Sequence, residues 1–135
     1  MSTVLALALL LGATPANANA AFQERVQAAR MAEAAAAGPV YQKALWNRIE
    51  AATASAYKHC IAGNQPGDKS PFTLALDVDA HGKPHNLAVQ PDIPVAHCMA
   101  AYFAAWTLPV PPASPTPYPL EIDFSLKPSA AAGSP

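Results

Sequence analysis

The chain has 135 residues, 52% of them apolar, and its eight Lys and Arg nearly cancel its nine Asp and Glu to leave a formal net charge of −1. That balance excludes the basic stripe of a nucleic-acid binder and the like-charge block of an interaction tail. Two cysteines, Cys60 and Cys98, are too few for a disulfide-dense scaffold, and fifteen prolines, crowded after position 90, point to a rigid and irregular final third.

Val4 to Gly12 is an unbroken apolar run of signal-peptide length, followed by the small-x-small sequence Ala18-Asn19-Ala20, with Ala16-Asn17-Ala18 as a rival. The run is well short of the roughly 20 residues that span a bilayer. No Lys or Arg precedes it, so the chain's amino group alone supplies its leading positive charge. The reading is a cleaved signal over residues 1–20, and hence a periplasmic or secreted mature protein. Phe22 to Ala37 is rich in Ala, Glu, Gln and Arg and predicts a helix with a weak, mostly alanine face, stopped by Gly38-Pro39. Residues 21–39 are taken as this Ala-rich segment, 40–127 as the folded domain and 128–135 as a tail.

Tyr41 to Cys60 predicts a stronger helix. Tyr41, Leu45, Ile49, Ala52, Ala56 and Cys60 recur at spacings of three or four, and Trp46 and Tyr57 widen the stripe. After a polar loop the period changes to two. Phe72, Leu74, Leu76 and Val78 alternate with Thr73, Ala75, Asp77 and Asp79, as in a strand with one buried face. Asp79-Ala80-His81-Gly82 is a turn, and Leu87 and Val89 mark a returning strand, so 72–90 reads as a β-hairpin. Pro84 places the second strand at an edge or delays its start. Val95 to Thr107 predicts a helix with Pro94 in its first turn, presenting Val95, Cys98, Met99, Tyr102, Phe103 and Trp106 as a broad apolar face. Six prolines between Leu108 and Pro119 impose an extended loop. Leu120, Ile122, Phe124 and Leu126 then alternate with Glu121, Asp123, Ser125 and Lys127 as a third strand. The fold class is therefore α+β, a small three-stranded antiparallel sheet with helices packed on one face and one disulfide.

An exported two-cysteine domain makes a Cys60–Cys98 disulfide the expected pairing, tying the helix before the hairpin to the helix after it. The rival is a Cys2His2 metal set from His59, Cys60, His97 and Cys98. Neighbours on a helix diverge by about 100°, which opposes that convergence, and no cofactor is expected. Cys-x-x-Cys spacing for redox work is absent. Asp77-Val-Asp79-Ala-His81-Gly82 mimics the start of a calcium loop, but its twelfth position is Ala88 where a bidentate Glu belongs. His81 and His85 flank Pro84 across a turn and read as exposed. No nucleophile elbow, phosphate loop or His-Glu-x-x-His is present, so no catalytic residues are assigned.

From about Leu45 to Leu126 the chain resembles the TonB C-terminal-like superfamily and, within it, the AgmX/PglI-type C-terminal domains. The resemblance is carried by the strand Phe72-Thr-Leu-Ala-Leu-Asp-Val-Asp79, the turn His81-Gly82-Lys83 and the strand around Leu87 to Val89. It continues through the cysteine-bearing helix closing on Trp106-Thr-Leu-Pro109-Val-Pro111, and the strand Leu120-Glu-Ile-Asp-Phe124. In that family a helix ending in Cys precedes the hairpin and a second Cys opens the next helix, the places held here by Cys60 and Cys98. The chain departs from the energy transducers of the superfamily in lacking a retained membrane helix and a Pro-rich spanning segment before the domain. Gln90-Pro-Asp-Ile-Pro94 replaces the usual Ser-rich turn. The resemblance implies a non-enzymatic interaction domain that binds an envelope protein by strand addition at a sheet edge, and Leu120, Ile122, Phe124 and Leu126 are the partner-binding candidates. A small exported inhibitor or immunity protein is the alternative, and a metal or redox protein using the His-Cys pairs comes third.

Overall fold

The structure is a computed structural model that describes residues 15–64 and 67–125. Its elements run α1 (Pro15–Ala34), α2 (Gly38–Gly63), β1 (Phe72–Val78), β2 (Pro84–Gln90), α3 (Pro94–Ala105) and β3 (Tyr118–Phe124). The expected order, the hairpin and the three-stranded antiparallel sheet are all present, with β1 in the centre of the order β2-β1-β3. The apolar run Val4 to Gly12 lies outside the described residues, whereas Ala18-Asn19-Ala20 lies within α1.

Helix α2 begins three residues before the expected Tyr41 and has Pro39 in its first turn, where a missing N–H costs nothing. Its buried stripe is Tyr41, Leu45, Ile49, Thr53, Ala56 and Cys60. Ala52, expected in that stripe, is exposed. Steps of four from Tyr41 carry the seam to Thr53, and the single step of three comes only afterwards. At the other end Asn64 closes the helix, its Nδ2 donating to the Cys60 carbonyl at 2.7 Å.

The even-numbered residues of β1 and β3 face α2 and α3. Phe72 stacks on Phe124 at 4.8 Å between ring centroids, Tyr57 meets both edge-on or tilted, and Phe103 of α3 approaches Phe124 at 6.2 Å. Leu45, Leu74, Met99 and Phe103 are fully enclosed, which makes this layer the main core. Removing that apolar surface from water is its chief stabilisation, at roughly 25 cal/mol per Å².

The expectation of helices on one face holds for α2 and α3 but not for α1. Helix α1 runs back across the opposite face of the sheet. Its Phe22 and Val26 form a second, small cluster with Ala75, packed against Ala88. Arg25 lies 3.9 Å from Asp77, and Arg30 lies 3.7 Å from Glu121, both carboxylates being on that face. Alanine at position 75 leaves room for the helix to approach. The reversal between α1 and α2 depends on Gly38, where a Cβ would sit 2.0 Å from the Glu33 carbonyl oxygen.

The segment between α3 and β3 has no regular structure until Tyr118, as its prolines require. It is nevertheless held at defined points. The Leu108 amide donates to the Gly82 carbonyl at 2.8 Å, and the Tyr41 hydroxyl donates to the Pro109 carbonyl at 3.0 Å. Gly82 has φ +82°, and a Cβ there would lie 2.1 Å from the Leu108 oxygen. Glycine is thus required at the hairpin tip both by backbone angle and by this close approach.

Candidate functional site

Cys60 in the last turns of α2 and Cys98 in α3 form a disulfide with a Cα–Cα distance of 5.7 Å. The bond joins the two helices of the main core, as expected. Both sulfurs are thereby bonded to each other, so the alternative of two metal-binding thiolates is not realised. The neighbouring histidines point elsewhere, as helix geometry requires. His59 stands edge-on to Tyr102 at 6.2 Å, while His97 Nε2 pairs with Asp92 at the surface. Among the described residues no group of three or more His, Cys, Asp or Glu is placed to hold a metal ion.

The calcium-like stretch is used within the hairpin. Asp79 Oδ1 accepts from the His81 and Lys83 amides at 2.8 and 2.9 Å, and its Oδ2 meets His85 Nε2 at 2.8 Å. The bond to His85, then that to the Lys83 amide, hold the Asp79 carboxyl down at about 2. Asp77 faces away, toward Arg25 and the Asn86 side chain.

The two outer strands differ. Strand β2 opens with Pro84, and its register with β1 slips between Ala75 and Asp77. Asn86 supplies the extra residue with φ +52°, a left-handed angle that Asn tolerates better than most side chains. The Arg25 guanidinium donates to the Asn86 carbonyl at this bulge. Strand β3 has no such interruption: its seven residues pair in continuous register with β1, from Tyr118 opposite Val78 to Phe124 opposite Phe72. Among the described residues no strand lies on its outer side.

Of the four partner-binding candidates, Leu120, Ile122 and Phe124 are in β3 and their side chains are buried in the main core. Leu126 lies outside the described residues. What β3 offers outward is main chain and the side chains of its other face, of which Asp123 is exposed and hydrogen bonded to Thr73 at 2.5 Å.

Three features escaped the sequence reading. Glu121 looks like a solvent-facing strand residue by alternation, yet α1 covers it. Its Oε2 is buried with no partner of normal hydrogen-bond geometry among the described residues, and burial, then the nearby Asp123 charge, raise its pKa despite Arg30. Tyr102 and Trp106, expected in the core, are only partly buried and line shallow surface clefts. Val40 and Val110 stand exposed on either side of an apolar groove of about 420 Å³ beside Pro111 and Pro112. Comparison of the chain with family models, with curated proteins and with solved structures finds no match.

Proposed function

We propose that this chain is a non-enzymatic, exported interaction domain of the TonB C-terminal-like kind, which binds a cell-envelope protein by strand addition along β3. The observation that carries the reading is the uninterrupted seven-residue pairing of β3 at a sheet edge, against a β2 edge kinked by Pro84 and Asn86. A regular edge offers a row of main-chain donors and acceptors to an extended peptide, and a bulged edge does not. Pro119 has no N–H to offer, so the donors available to an incoming strand lie beyond it, toward Phe124. The Cys60–Cys98 bond fits the oxidising compartment that the leader sequence points to. No helix of the described residues is long and apolar enough to cross a membrane.

Photo-crosslinking in intact cells tests the reading. A photoreactive residue at Asp123 on β3 is expected to yield an adduct with an envelope protein, and one at His85 on β2 is not. Equal adducts from both positions, or none from Asp123, would reject strand addition at β3.

A further inference from the structure

The seam between α2 and α3 bears two shallow clefts, about 290 Å³ and about 330 Å³, that share Ala52 and Trp106. Trp106 stands at the C-terminal end of α3, its ring against Phe103 at 4.7 Å and Tyr102 at 6.4 Å, with part of its surface open. The floor is low because much of it is Ala or Ser, so the indole forms a wall that a side chain can lie against.

Arg48 brings a positive charge to one end of this seam and the His59 imidazole brings a ring N–H donor to the other, and among the described residues no carboxylate lines either cleft. At the Arg48 end Lys83 Nζ donates to Thr107 at 2.6 Å. Arg25 and Arg30 each face a carboxylate, but neither Arg48 nor Lys83 has an ion pair among the described residues. Arg48 and His59 are both on α2, and a rise of 1.5 Å per residue sets them roughly 16 Å apart along it. An extended segment of about five residues covers that span at ~3.3 Å per residue.

We propose that this seam docks an extended peptide segment of another protein carrying a carboxylate near each end and an apolar side chain between them. The apolar group lies on Trp106 over the small residues. One carboxylate faces the Arg48 guanidinium, which offers paired donors to a carboxylate, and the other faces His59. This surface lies on the helical side of the fold and does not involve the β3 edge, so the two binding modes can fail separately.

The test uses the full purified protein and three labelled peptides, Glu-Ala-Phe-Ala-Glu and its counterparts with Lys or Gln at both ends, titrated by NMR with the Trp106 indole resonance as reporter. The acidic peptide is expected to bind at least about ten-fold tighter than either counterpart, and to weaken as salt is raised. Arg48→Glu, at an exposed position, is expected to remove that preference while leaving thermal unfolding unchanged, and Trp106→Ala, followed through the labelled peptides' own resonances, to weaken all three peptides. Equal binding of the three peptides, binding of none, or a preference that survives Arg48→Glu would overturn the proposal. So would tighter binding of an anionic polysaccharide than of the acidic peptide.

Discussion

The two faces of the central strand were built by different means. Toward α2 and α3, β1 presents Phe72, Leu74, Leu76 and Val78, all buried against aromatic and aliphatic side chains and backed by a disulfide. Toward α1 it presents Thr73, Ala75 and Asp77, and the covering helix contributes only Phe22 and Val26 as large apolar groups, together with two arginines. The first face is held by area removed from water. The second is held by the small cluster of Phe22 and Val26 on Ala75 and Ala88, and by charge pairs that remain partly solvated and therefore contribute little each. One sheet is thus expected to carry a layer that unfolds only with the whole domain and a layer able to open by itself.

The largest effect belongs to the first face. Cys60→Ser together with Cys98→Ser opens a loop with a sequence separation of 38. The chain-entropy model places the loss at about 4 kcal/mol, read as a lower midpoint in denaturant melts under oxidising conditions. Phe22→Ala probes the second face. It is expected to lower global stability by less than about 1 kcal/mol while sharply raising hydrogen exchange in α1 and leaving α3 protected. A global loss of about 3–5 kcal/mol, the range of a fully supported core phenylalanine, would show instead that the two faces unfold together.

The smallest effect is electrostatic. Glu121 has its folded pKa raised, by burial first, then by Asp123, and to a lesser degree by Glu33, with Arg30 opposing. The folded state therefore holds this proton at pH values where the unfolded chain has released it. Its contribution is fully present below the ordinary glutamate value of about 4.3 and is lost as pH rises through the higher folded value. Glu121→Gln is expected to flatten this part of the stability–pH curve and to slow α1 exchange at neutral pH. An unchanged curve would mean that Arg30 compensates the carboxylate fully.

The first face was legible and the second was not, for a physical reason. Period-two alternation and a stripe at spacings of three and four are strong signals wherever large apolar residues mark them, as in Phe72 to Val78 and Tyr41 to Cys60. Helix α1 buries Ala29 and Ala32 beside Phe22 and Val26, and alanines occur equally on its exposed side. No stripe stands out, and its place on the polar face of the sheet left no trace in the strands except the small residue at 75. The same gap hid Glu121. Tyr102 and Trp106 misled in the opposite direction. Aromatic residues at helical spacing signal a packed core, but α3 is short, and its C-terminal turn rests on the alanines and serine of α2 without being enclosed by them.

The bond between the hairpin tip and the segment after α3 has a bearing on how the chain withstands proteolysis. Trp106 to Pro117 has the irregularity of a stretch that peptidases cut readily. Cleavage requires a segment to leave its surroundings and lie extended in a foreign active site. Leu108, clasped to Gly82, and Pro109, clasped to Tyr41, resist that departure, and the prolines that follow are poor substrates in their own right. A Gly82→Ala chain, in which the added methyl collides with the Leu108 carbonyl, should be nicked in this stretch by thermolysin or elastase under conditions that leave the parent intact.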